Sequence, residues 1–199
     1  MAISILPVLL LNSCGGGLTT SKNEFLGEIP SLQKYYSAKI HDKNKELKEC
    51  TDMEKAFKLG KEADVLKQEW DAKIEESLKA NPVAASLPFE PMKNQPYTVN
   101  KITFVRVNNM GFGFDLSIKI DQDMKINNQD YWVYYVAIDK DGKEIQDSKS
   151  RSLVNQALQN ELKAGTVIEA HGSWNTKTLC NMENFAKIRF ITKDEFEKK

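Results

Sequence analysis

Phe112, Phe114, Leu116, Ile118 and Ile120 alternate with Gly113, Asp115, Ser117 and Lys119, and no other feature constrains the chain as tightly. Successive side chains of a strand point to opposite faces, so a period of two sets one apolar face on a core and one polar face in water. Before it, Tyr97 to Val107 is rich in Val, Thr, Ile and Phe. After it, Tyr131 to Ile138 is apolar or aromatic throughout, as a strand covered on both faces is. Asp141-Gly142 signals a hairpin turn into a strand over Lys143 to Asp147, and Thr166 to Trp174 and Phe185 to Thr192 read as two more strands. Leu153 to Leu162 fits either a short helix or a strand with its loop. Strands of this number joined by short polar turns predict an antiparallel β-sandwich over residues 97–193.

Upstream of Pro96 the period is helical. Pro30-Ser31 suits a helix start, and Leu32, Tyr35, Tyr36, Ile40 and Leu47 form a thin apolar stripe. Thr51-Asp52-Met53-Glu54 fits a capping box, which breaks the helix near Cys50 and starts another; one long helix through Cys50 is the alternative. In the second helix Leu59, Ala63, Leu66, Trp70, Ile74 and Leu78 make a continuous stripe ending before Pro82. Residues 30–81 therefore read as a helical hairpin, and 82–96, with Pro82, Pro88, Pro91 and Pro96, as a Pro-rich linker. The fold class is α+β.

The amino terminus supplies a location. Ile3 to Leu11 has the length of a signal-peptide apolar region, short of the roughly 20 residues that span a bilayer as a helix. It runs into Leu11-Asn12-Ser13-Cys14 and then Gly15-Gly16-Gly17. Those residues resemble the bacterial lipobox, which implies a signal peptide over 1–13, a diacylglycerol anchor on Cys14 and a flexible tether over 14–29. Asn12 is more polar than usual for that motif and no basic residue precedes the apolar run; the alternative is a buried strand with an ordinary cysteine. Lipobox, Gly27 to Pro30, Lys/Glu-rich helices and a β domain together look like small Bacteroides-type lipoproteins. Asp139-Lys140-Asp141-Gly142 and Lys163-Ala164-Gly165 are similar to the turns of their immunoglobulin-like domains. That resemblance implies an immunoglobulin-like fold at the cell envelope, on the outer membrane, with no activity attached.

Composition limits the chemistry. Lys+Arg and Asp+Glu balance at 28 each, which excludes a general attraction to nucleic acid. Arg106, Arg151 and Arg189 are the only arginines, so forked recognition of phosphate or carboxylate has few donors. His41 and His171 lack metal-ligand partners at useful spacing, and both read as solvated. Asp121, Asp123 and Asp130 superficially resemble a calcium loop, but Lys125 and Ile126 occupy the positions where an oxygen ligand and a glycine are needed. No metal, phosphate-loop, dinucleotide or nucleophile-elbow motif is present, and no cofactor is implied.

Two pairings remain. Cys50 and Cys180 could form a disulfide joining helices to the β domain, or stand as two buried thiols. Tyr131 and Tyr135 share one strand face and could form an exposed platform for sugars or a partner's side chains. Alternatively that face fills the sandwich core while the helices cover the other. The reading is a membrane-anchored, non-enzymatic binding or scaffold module for a protein or glycan, against a small envelope hydrolase or transferase built from dispersed carboxylates. Palmitate fed to expressing bacteria should label the protein, and Cys14→Ser should abolish that labelling; persistence of the label would remove the anchor.

Overall fold

The computed structural model describes residues 21–80, 86–92, 95–108, 110–126, 131–155 and 160–198. Cys14 and the signal segment lie outside the described residues, as does Asp130. The chain is α+β, with two long helices and mostly antiparallel sheets. Helix α1 spans Ile29–Glu49 and α2 spans Met53–Ala80. Strands β1 (Phe89–Glu90), β5 (Tyr131–Asp139), β6 (Ser150–Asn155) and β9 (Phe185–Ile191) form one sheet in the order β1-β9-β5-β6. Strands β2 (Tyr97–Asn108), β3 (Gly111–Ile120) and β8 (Val167–Asn175) form a second in the order β2-β3-β8. β4 (Met124–Lys125) and β7 (Glu161–Leu162) pair separately. Two short helices, α3 (Thr176–Leu179) and α4 (Lys193–Glu197), flank β9 and its 3-10 lead-in.

The alternating strand behaves as its pattern requires. Phe112, Phe114, Leu116, Ile118 and Ile120 are each at most 2% exposed. β3 is the centre of its sheet, and those side chains join the core cluster that also holds Val133 and Tyr135 of β5 and Phe185 and Ile188 of β9. Phe114 and Trp174 of one sheet meet Tyr135 and Phe185 of the other. Gly172 is required there, because a Cβ would enter the ring of Phe114. The strand covered on both faces is β5: Val133, Tyr135 and Ala137 face this core, while Val136 and Ile138 join Ile191 in a smaller cluster under α4.

The helices share the core instead of standing apart. Leu32, Tyr36, Trp70 and Ile74 belong to the same apolar cluster as the sheets. Tyr36 stacks on Trp70 with centroids 6.3 Å apart, and Lys43 pairs with Glu62 at 3.0 Å. The break at Cys50 is as expected, with the residue extended at the end of α1. Its cap differs: Asp52, not Thr51, accepts from the Lys55 amide at 3.0 Å, since α2 begins at Met53.

Four other expectations are corrected. The tether does not extend to residue 29. Asn23, 1% exposed, donates through Nδ2 to the carbonyls of Glu183 and Phe185 and accepts through Oδ1 from the amides of Phe25 and Leu26. Leu26 and Ile29 are buried beside it, so this segment is part of the fold from residue 21. Lys143 to Asp147 holds only an isolated bridge from Glu144 to Ile138, and the neighbour of β5 is β6, which settles the Leu153 to Leu162 ambiguity at its start as strand. Within the Pro-rich stretch 82–96, Phe89 and Glu90 pair in parallel with Ile188 and Arg189. The helices do not cover the outer face of β5; Phe196 of α4 does, packed on Tyr134 at 5.0 Å.

Asn23→Ala removes a side chain whose four hydrogen bonds are all made inside the protein, leaving backbone groups without partners at about 1–3 kcal/mol each. Urea unfolding should show the midpoint falling by the equivalent of about 2 kcal/mol or more at an unchanged slope.

Candidate functional site

Strand β5 enters its sheet at an irregular register. Tyr131 is opposite Asn155 but Trp132 is opposite Leu153, so β6 carries one extra residue there. Such a bulge sharpens local twist and interrupts pleat alternation. Tyr131 and Trp132, neighbours in sequence, both line one cleft. Tyr97 at the start of β2 and Tyr134 complete its aromatic wall, and Ile191 and Met92 add apolar surface. The volume is about 370 Å³, within the range of small-ligand sites.

The aromatic rings are held by one another and from outside the cleft. Tyr97 and Tyr131 meet edge to face at 6.3 Å and 84°. The Arg151 guanidinium lies 4.3 Å from the ring centroid of Trp132, and Phe196 braces Tyr134. Burial raises the phenol pKa of Tyr131, with the neighbouring Tyr134 adding to it, and burial likewise raises that of Tyr97. Both phenols are therefore neutral throughout the physiological range. Gln95, Thr192 and Lys193 supply polar groups at the rim. The lining offers aromatic faces for stacking, with phenol, amide, hydroxyl and ammonium groups that hydrogen-bond.

The platform of Tyr131 with Tyr135 is corrected. Tyr135 is 0% exposed, its ring 5.4 Å from Trp174 and its hydroxyl taking the Ser173 amide at 3.0 Å. Only Tyr131 of the pair reaches the cleft. Tyr97, Trp132 and Tyr134 were not foreseen in it. Strict alternation assigns Trp132 and Tyr134 to the opposite face from Tyr131, and nothing in the sequence marks the extra residue in β6.

The remaining candidates separate. Cys50 and Cys180 are free thiols. Cys180 lies 3.4 Å from the Ser37 hydroxyl, midway along α1, whereas Cys50 ends that helix with its thiol on the Asp52 carbonyl. More than three helical turns, about 20 Å, lie between those points, against the roughly 7 Å a disulfide spans. The possible bridge is therefore not made, and the alternative of two free thiols holds. Asp121 accepts from Thr98, and Asp123 from the Ala164 amide and Lys163, which hold its carboxyl below the usual range. These carboxylates clamp loops, and among the described residues no cluster of His, Cys, Asp and Glu is arranged to hold a metal. Asp139 closes its turn by accepting from the amides of Asp141 and Lys143. His41 lines a groove between α1 and α3, and His171 stands on the outer face of β8, opposite in pleat to the buried Trp174.

Compared with known proteins, the chain matches no family, no curated protein and no solved structure.

Burial raises the pKa of the Cys180 thiol, partly offset by its hydrogen bond with Ser37. The thiolate is the reacting form, so near about pH 8 Cys180 should be alkylated more slowly than Cys50. Its rate should go on rising with pH beyond the ordinary thiol range, and peptide mapping under non-reducing conditions should find both residues modified.

Proposed function

We propose that this chain is a lipid-anchored lipoprotein of the bacterial cell envelope, held on the outer membrane through Cys14, and that it acts as a non-enzymatic binding module. In this reading α1 and α2 form a helical hairpin packed on an immunoglobulin-like β-sandwich. The β domain presents the cleft of Tyr97, Tyr131, Trp132 and Tyr134 to a protein or glycan. The observation that carries the reading is that cleft: aromatic walls braced from behind, polar groups at the rim, and lining groups that stack and donate hydrogen bonds. Braced rings lose little freedom on binding, which favours them as anchors. Among the described residues no helix is long and apolar enough to cross a membrane. A two- or three-chain lipid at Cys14 would supply attachment by itself, at about 0.8 kcal/mol per buried methylene.

Affinity capture from native membranes, with the anchor intact, tests this directly. Wild type should retain a partner or a glycan fraction that Trp132→Ala and Tyr134→Ala each retain roughly tenfold less well, as truncated aromatic anchors do. Identical capture by wild type and both variants would overturn the assignment of the cleft.

A further inference from the structure

The outer face of the β2-β3-β8 sheet carries a second cluster, independent of the aromatic cleft. Gly113, in the central strand, is paired with Arg106 on β2 and with Ser173 on β8. A Cβ at this position would lie 3.3 Å from Cε1 and Nε2 of His171 and 3.9 Å from Cγ of Arg106. The imidazole and the arginine stem thus both lie over the glycine, from opposite neighbouring strands, in space a side chain would otherwise take. Asp115, directly opposite His171, meets its Nδ1 at 2.9 Å. That contact fixes the ring and leaves Nε2 on the side of Gly113. Arg106, Gly113 and His171 line a cleft of about 260 Å³ with Asn108, Met110 and Asn175 around it.

The three arginines are used differently. Arg151 stacks on Trp132 and Arg189 pairs with Glu144 at 2.6 Å. Arg106 has no carboxylate partner among the described residues. A guanidinium fork matches the oxygens of a carboxylate or phosphate, and a neighbouring N–H cation adds a second charge-assisted donor.

We propose that Arg106 and His171, set across Gly113, bind an oxyanion, a carboxylate or phosphate group, together with a proton on His171. A neutral ring that donates Nδ1–H to Asp115 offers a lone pair at Nε2, which disfavours an anion; the imidazolium offers an N–H there instead. The charged groups facing the ring are Arg106 from β2 and Asp115 from β3. Along its own strand stands Glu169, level with Ser117 and Lys101, and beyond them Lys119. Asp115 balances the charge of the protonated ring, leaving Arg106 for the ligand. Linkage then runs one way: the anion binds more tightly as pH falls through the imidazole range, and bound anion moves titration of the ring to higher pH.

The chain has two histidines, so ring-proton NMR can follow each separately, His41 serving as the internal control. Titrations at constant ionic strength would use inorganic phosphate and, separately, acetate. Phosphate at saturation should move the His171 midpoint upward by roughly half a unit or more while His41 stays in place. Arg106→Gln should lower affinity roughly tenfold and remove the shift, and the same response to acetate would mark a carboxylate as a ligand chemistry of the site, whereas phosphate alone would mark a phosphate group. Gly113→Ala, which pushes the imidazole aside, should weaken binding as well; because that variant alters a packed strand, the exposed Arg106→Gln, with unchanged thermal unfolding, carries the test. Equal movement of both histidines, or a His171 shift that survives Arg106→Gln, would overturn the proposal.

Discussion

The contact between Trp174 and Tyr135 is the joint on which the β domain depends. Their rings meet at 5.4 Å and 79°, with Phe114 5.0 Å from the indole and Phe112 stacked on it at 5.9 Å. Apolar burial is non-directional and would tolerate one sheet sliding over the other. The polar atoms of the same two residues are directional: the indole N–H donates to the Ser148 carbonyl at 2.7 Å, and the Tyr135 hydroxyl takes the Ser173 amide. Each is a buried group that would cost energy if left unpaired, so one relative placement of the sheets satisfies both. The same placement withdraws Tyr135 from any role at the surface and pushes Tyr134 and Trp132 outward.

How far sequence reaches follows from which interactions are local. The β3 pattern was legible because pleat alternation acts within one strand, and the α2 stripe because Leu59, Ala63, Trp70 and Ile74 all bury at helical spacing. The turns at Asp139 and at Lys163 were legible because their hydrogen bonds close within a few residues. Asn23 was not: its partners are the carbonyls of Glu183 and Phe185, at the far end of the chain, and locally it looks like one more polar residue in a tether. The parallel pairing of Phe89 with Ile188 failed to show for the same reason, hidden in a Pro-rich stretch that reads as linker.

The candidate sites obey that division too. Tyr131 was legible as an aromatic at a strand end. Its companions depended on a bulge in the partner strand, which has no signature of its own. The choice between a disulfide and two free thiols turned on distance, a quantity that cysteine arithmetic never contains. His171 and Asp115 are 56 residues apart in the chain, and only the register of β3 with β8 sets them opposite.

Polar satisfaction also distinguishes the layers. Gln33 is 0% exposed, yet both amide atoms have no partner among the described residues, and the same holds for Trp70 Nε1 and Ser77 Oγ. All three residues lie on α1 or α2; in the sheets the corresponding case is Ser152. An unpaired buried polar group costs about 1–3 kcal/mol, so the helical layer gives up part of what Tyr36, Trp70 and Ile74 gain by burial. In the sheets the buried Trp174 and Tyr135 are both hydrogen-bonded. In the helical layer the Asn23 hydrogen bonds clasp the lead-in of α1 to the start of β9.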